Sequence, residues 1–576
     1  MKNITYEIPK NNRGVFLSPA LDRIPGLILE NRLKIQSYKL EINGIPVQLL
    51  RERTRMAALH QAVRYTNGIK SLLRNDKSGA HRYERNDTQG TESWRITQDA
   101  LCINEQTLDY ETVKNIPIIQ MGHEPVLYHP GVWIKNHLTS HLAKELGGVG
   151  FNMIVDNDGC NMGFMYAPIL LEKSASVGKM PFVKNNEHVA YEEIVFDNFE
   201  TILKFKDDVL NLLAKNVRRE GEHTIAEGMQ RSFAQFTNQV GECYRQGCCD
   251  MVGLFTAARR SLEEEFGIDN LEAPVSWMCE TDGFYHFLLH MLCDAERFVN
   301  IYNEKLAEYR RMHQIRSKAN PLPDLEVMNN AVELPFWVWK AGGQRTRCYL
   351  VNEGDDIRIT DGADTLSVLR KSEDATKNFS RLKSLKNTGI KVRPRAITTT
   401  MFSRLFFSDV FVHGIGGAKY DTVTDEIIKD FFCVDPPGFV TISATLFLPL
   451  ETNNLVEMSL DKLQRIINDM RYNPERYASK GTQDRPEFRS YVAEKQRVLQ
   501  MMATANPSEK RRYFGRIKDL NKLLSALISA EREGIQEEIR TIQEKLTYNK
   551  VVRFREYPVC LYPMKVLREY FQSVFS

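Results

Sequence analysis

The chain has 576 residues, 42% of them hydrophobic and 26% charged, with a formal net charge of +3. That length exceeds what one hydrophobic core organises, so roughly two to four domains are expected. Basic and acidic residues interleave without a clustered basic excess, which argues against nucleic acid or a membrane surface as a partner. No segment is apolar over the length of a membrane span, and residues 1–14 have neither an apolar core nor a small-residue cleavage pattern. A cytoplasmic protein is therefore expected. Its ten cysteines should be reduced; apart from Cys243, Cys248 and Cys249 they are scattered, with no paired CxxC units.

In chain order, residues 1–110 read as an N-terminal α/β region. It has short strand-like runs, a helix near Arg53–Ala62 and a polar, Gly-containing loop from Asn75 to Thr91. Residues 111–200 carry a buried-strand run, Ile116–Gly122, then a helix over Gly131–Leu146 and a second buried run, Val149–Asp156. Strand, helix, strand at this spacing is the βαβ unit of a parallel sheet. Residues 201–325 read as an inserted helical region, with Phe287, His290, Met291, Asp294 and Phe298 at helical spacing, closed by the Pro-bounded loop Asn320–Asp324. Residues 326–455 begin with a hairpin, Phe336–Trp339 and Arg347–Val351 around Ala341–Gln344. They continue into a second α/β passage with a helical face (Val423, Ile427, Ile428, Phe431) and a buried strand, Val440–Leu448.

Residues 456–550 are helical and rich in charge. Asn506-Pro507-Ser508-Glu509 is a helix start, with Asn as cap, Pro in the first turn and Glu three residues after the cap. The helix that follows spaces Ile517, Leu520, Leu524, Leu527, Ile535, Ile539, Ile542 and Leu546 mostly at threes and fours, a coiled-coil seam. Its partners are the helices Ser459–Met470 and Pro486–Met502, giving an antiparallel arm; a plain helical bundle packed on the body is the alternative. The seam can pair within one chain or between two, so a homodimer through the arm is one expectation. Residues 551–576 return to the body through Phe554–Pro558.

Three constellations can carry chemistry. The first is Gly122-His123-Glu124 at a strand end, with His129, Pro130 and Lys135 after it. Ligands of open parallel sheets bind at the carboxyl ends of strands, and a helix start there offers free N–H groups to an anion. Adjacent His and Glu can form a proton-transfer pair, though they serve equally as ordinary turn and wall residues. The second is Asp156-Asn157-Asp158-Gly159, where two carboxylates can hold magnesium or orient an amine, or simply make a turn. The third is Val412-His413-Gly414-Ile-Gly416-Gly417-Ala-Lys419-Tyr420, preceded by Arg393-Pro-Arg395. These glycines let backbone amides approach a phosphate or equally make a tight turn for helix packing; the spacing is neither the dinucleotide fingerprint nor a Walker loop, and no buried strand is read leading into them. A fourth group, His286, His290 and Cys293, shares its helix with Phe287, Leu289, Met291 and Leu292, so core or cleft lining is favoured over zinc.

Taken together, these motifs resemble the cysteine ligase family of bacillithiol synthesis, from about residue 110 to the end. The family's Gly-Gln-Gln strand end, Gly-Pro, helix lysine and Leu-Ala-Lys align with Gly122-His123-Glu124, Pro130-Gly131, Lys135 and Leu142-Ala143-Lys144. Its acidic strand end corresponds to Asp156-Asn157-Asp158. Its late Thr, leucine-rich helix, Gly-Pro-Gly-Glu and tyrosine correspond to Thr398, Met401–Val410, Gly414, Gly416 and Tyr420, and Pro436-Pro437 follow. Both glutamines are replaced here, by His123 and Glu124; the acidic motif lacks its histidine; and Gly417 stands for the glutamate.

The resemblance implies an α/β fold with a Rossmann-like parallel-sheet core, an inserted helical region and a dimerising coiled coil. It also implies a nucleotide-binding ligase acting on a small-molecule substrate, joining an amine to a carboxylate, such as cysteine to an amino-sugar conjugate, with ATP or ADP and magnesium. On that reading Gly122, Lys135, Arg395, Gly414, Gly416, Gly417, Lys419 and Tyr420 meet the nucleotide. His123, with Glu124, acts on the amine proton, and Asp156 and Asp158 orient the amine or carry magnesium. A non-catalytic binding or assembly protein, or a small-molecule nucleotidyltransferase, are the alternatives.

Overall fold

The computed structural model describes residues 6–74, 83–85, 94–96, 110–172, 174–216, 223–317, 319–328, 330–453 and 458–575. The elements that place the site are, in chain order, β1 (Gly14–Ser18), α1 (Val47–Arg74), β2 (Ile118–His123), α2 (Pro130–Glu145), β3 (Val149–Ile154), α3 (Met251–Glu264), β4 (Leu271–Pro274), β5 (Ala331–Lys340), β6 (Ile390–Pro394), α4 (Ala396–Phe406), β7 (Val410–His413), α5 (Ile415–Phe432) and β8 (Val440–Thr445). The protein is mixed α/β. Its central sheet has the order β1-β8-β7-β2-β3-β4. Every pair in it is parallel except β1 on β8.

Successive residues of a strand face opposite sides, and here both sides are covered. Ile118, Phe151, Met153 and Phe411 enter one core with α4, α5 and the helices Asp282–Cys293 and Ala295–Met312. Ile119, Met121, Ile154, Val410 and Val412 enter the other with α2 and α3. Double coverage is why these strands read as continuous apolar runs.

Buried ion pairs fix the layers to one another. Asp409, between α4 and β7, accepts from Arg51 Nη2 at 2.9 Å and Arg55 Nη1 at 3.1 Å, both on α1, and from the Ile118 N–H at 2.8 Å. Arg259 of α3 donates to Glu263 and to Glu272 of β4, while Trp133 and Asn136 of α2 also donate to Glu263.

Four expectations change. Residues 201–325 are not wholly helical, because β4 lies among them and pairs with β3, Leu271 opposite Phe151. Four residues are too few for a periodic signal. The helix expected to reach Val410 ends at Phe406, and β7 leads directly into Gly414. The Asp409 ion pairs hold the intervening turn. The helix expected from residue 507 to 548 is two, Pro507–Leu527 and Ser529–Val552, broken at Ile528, which is buried with Met470, Phe488 and Leu524. Within the expected loop at residues 75–91, Tyr83–Arg85 pairs with Trp94–Ile96, and the remainder lies outside the described residues.

The expected hairpin is part of a five-stranded antiparallel sheet, with Thr365–Arg370, Asp356–Thr360 and Thr346–Glu353 leading to β5 and then β6. At the C-terminal side Pro486–Thr504 packs on Pro507–Leu527, and Ser529–Val552 packs on Met458–Asp469 and on the strand Ser174–Pro181. Asn506 caps its helix as the sequence indicates, with Glu509 returning to the Asn506 N–H. Among the described residues no helix is long and apolar enough to cross a membrane.

Candidate functional site

The carboxyl ends of β2, β3, β6 and β7 open on one cavity of about 420 Å³. Helices α2, α4 and α5 all begin at its wall. A helix start leaves N–H groups without intrahelical partners and carries the positive end of the helix dipole. The α2 head closes on itself, since His129 Nδ1 accepts from the Gly131 N–H at 3.1 Å. Neither α4 nor α5 has a side-chain cap; their caps are Arg395 and Gly414. Their first amides remain for an anion.

The glycines at the α5 head have different jobs. A Cβ on Gly417 would lie 2.7 Å from His413 Nδ1, so only glycine lets the strand-end histidine pack there. Gly414 and Gly416 have open space around them, which leaves room for a ligand to approach the backbone.

Cationic and acidic groups share the wall. Lys135 on α2 is buried, with its Nζ donating to the Gly122 carbonyl at 2.6 Å. Burial lowers its pKa to about 7, against the pull of Glu124. Glu124 moves the other way: burial and then Asp158 raise its pKa to about 7, opposed by Tyr191, Arg345 and Lys135. Both groups therefore titrate near neutrality. Arg395 pairs through Nη1 with Glu333 at 2.7 Å and lies over the Trp337 ring at 4.2 Å, a ring that Arg345 also covers at 4.3 Å. Its Nε and Nη2 have no hydrogen-bond partner among the described residues. Lys419 is exposed at the rim, and Arg555 reaches the wall from the C-terminal return. Tyr420 is kept neutral by burial, which raises its pKa.

His123 lines the cavity with its ring edge-on to Tyr128 at 5.1 Å. Burial, then Lys135 and His129, hold its pKa well below the usual value. It is a neutral hydrogen-bonding group and a weak base.

A better-placed base is His413, at the end of β7. Its Nε2 meets Asp421 Oδ2 of α5 at 2.9 Å. Asp421 also accepts from Thr400 Oγ1 at 2.8 Å and Arg404 Nη1 at 2.7 Å. Burial alone would raise the Asp421 pKa; Arg404 and His413 outweigh it and hold it well below the carboxylate range. An ionised Asp421 keeps the proton on Nε2, so Nδ1, beside Gly417, is the acceptor. His413 stands in the glycine constellation of the sequence but without a role there, and Asp421, Trp337 and Arg555 are not among the site residues the sequence suggests. The available signal was a strand-end histidine eight residues before an aspartate, across a glycine turn.

Of the expected site residues, Gly122, His123, Glu124, Lys135, Asp158, Arg395, Gly414, Gly416, Gly417, Lys419 and Tyr420 all line the cavity. Asp156 does not. The chain turns after Ile154, and Asp156 is buried beneath the site, accepting from the Ser276 N–H at 3.0 Å and Oγ at 2.5 Å. Burial and then Glu192 raise its pKa to about 7. Asp158 is held by Arg345 at 2.8 Å and the Gly159 N–H at 2.9 Å. The two carboxylates thus form no shared cation site, and the expected magnesium role for the pair does not fit. Among the described residues no His, Cys, Asp or Glu group is arranged to hold a metal ion. His286 and His290 stack on Phe379 and Phe432 at 4.4 and 5.6 Å.

Compared with known proteins, the chain matches no family model and no curated sequence.

Proposed function

We propose that this cavity binds a nucleotide, ATP or ADP, and joins an amine to a carboxylate, as a ligase of the kind the cysteine ligase resemblance implies. The observation that carries this reading is two uncapped helix heads beside Lys135 and Arg395, around a cavity whose wall also holds the His413–Asp421 pair. Its volume suits a small-molecule site, typically about 300–1,000 Å³. In this reading the central sheet is a Rossmann-like core, and the helices of residues 486–552 form a coiled-coil arm through which two copies pair.

The chemistry follows from the groups present. A substrate carboxylate attacks the terminal phosphorus of ATP, and the bond to ADP breaks. The α4 and α5 amides, with Lys135 and Arg395, stabilise the charge on the phosphates. The amine then attacks the acyl carbon and phosphate leaves, while the ammonium proton passes to His413 Nδ1. Asp421 orients the ring and stabilises its cation. Glu124 and the neutral His123 hydrogen-bond the amine.

The test is the thermal stability of the purified protein against a panel of nucleotides, because a ligand that binds only the native state raises the melting temperature. A selective shift with ATP or ADP is expected. His413→Asn should keep that shift while lowering amide-forming turnover by about 10²–10⁴-fold. No shift with any nucleotide overturns the reading.

A further inference from the structure

A second cavity, of about 500 Å³, adjoins the first. Its walls come from the N-terminal segment Tyr6–Lys10, from Lys419 of α5, from Thr445 and Phe447 at and after the end of β8, and from Arg553 and Arg555 of the C-terminal return. Ile8, Lys419 and Arg555 line both cavities, so the two are continuous.

The charge in this cavity is one-sided. Lys10, Lys419, Arg553 and Arg555 face it against a single carboxylate, Glu7. Lys10, Lys419 and Arg553 have no acidic partner among the described residues. Arg555 is locked in place, its Nη2 donating to the Ala444 carbonyl at 2.9 Å and to Ser443 Oγ at 3.2 Å, while its Nε is buried without a partner among the described residues. Gly131 is what admits it: a Cβ there would lie 2.4 Å from Arg555 Nη2 and 2.6 Å from the Ala444 oxygen. Cations drawn from three distant parts of the chain repel one another. Sharing one concave wall, they attract an incoming anion.

We propose that this adjoining cavity holds a second anionic group, a carboxylate or a phosphate monoester, carried by the molecule that is joined in the first cavity. That the group belongs to the molecule joined in the first cavity rests on the function proposed above, whereas the anion site itself does not. Lys10 and Arg553 line the second cavity and not the first, so their removal separates the two. Both are exposed, so the protein should fold without them.

The experiment is calorimetric titration of the full chain with inorganic phosphate and, separately, with malonate, each with and without saturating ATP. The better-bound probe identifies the anionic group. Wild-type protein should bind one of them with ATP present. The double variant Lys10→Ala/Arg553→Ala should weaken that binding by at least about tenfold, with ATP affinity unchanged. If ATP does not bind, the titrations without it still read the second cavity, so failure of the ligase reading is told apart from failure of this one. Absence of anion binding, or binding that the double variant leaves intact, overturns the proposal.

Discussion

Gly416→Asp tests the phosphate-binding assignment with two effects of opposite sign. Gly416 is the second residue of α5, is exposed, and has nothing within 4 Å of the position a Cβ would take. An aspartate therefore fits without displacing anything. Replacing glycine within a helix and adding an acid to its first turn should together stabilise the unliganded protein by about 0.5–1 kcal/mol. A phosphate held at the α5 head would lie roughly 5 Å from the new carboxylate. At an effective dielectric near 20, each pair of unit charges then costs about 3 kcal/mol, and discounting by half for exposure leaves about 1.5 kcal/mol, or roughly tenfold in affinity. At a nucleotide concentration 100 times the wild-type Kd, ligand stabilisation should fall from about 2.7 to about 1.4 kcal/mol. Thermal denaturation of both proteins with and without ATP measures both terms. A variant that responds to ATP like the wild type refutes the assignment. One that loses its response together with its own stability points instead to a structural role for the glycine.

Other consequences are equally direct. Asp156→Asn should stabilise the protein above neutral pH. The raised Asp156 pKa, about 7, contributes stability that is complete below the unfolded carboxylate value and lost as pH rises through 7; the amide has no such loss. Melting temperature against pH should therefore be flatter in the variant between about pH 4 and 7, and parallel curves would contradict the burial argument. Asp409→Ala leaves Arg51 and Arg55 charged and unpaired in the core, so urea denaturation should show a loss of about 3–5 kcal/mol; a loss under about 1 kcal/mol would mean the ion pairs are dispensable. Nucleotide affinity should fall about tenfold from pH 6 to 8 as Lys135 loses its proton and Glu124 ionises, and Lys135→Met should leave only the smaller dependence that Glu124 contributes. Gly417→Ala should push on His413 Nδ1 and depress turnover more than nucleotide affinity, which single-turnover kinetics can separate.

The site was largely legible as a set of strand ends, because the residues that end a strand and start a helix have local signatures. Gly122, Gly414 and Gly416 mark such places in one dimension, and all three line the cavity. Asp156 and Asp158 show the limit of that logic. Spacing of two puts carboxylates on one face only while the chain stays extended, and here it turns after Ile154, sending Asp156 to Ser276. His413 was visible yet ambiguous, since its role depends on Asp421 two turns into the next helix.

The sequence by itself determined the α/β character, the buried strand runs, the capped start at Asn506 and eleven of the residues that line the cavity, because periodicity, capping and turn chemistry act within a few residues. Only the tertiary structure decided that Val410–His413 and Leu271–Pro274 are strands, that Asp156 faces away from the cavity, and that Lys10, Lys419, Arg553 and Arg555 share one wall. A four-residue strand has no stability of its own and exists because its neighbours in the sheet pair with it. Charges brought together from opposite ends of the chain leave no local pattern for a sequence to display.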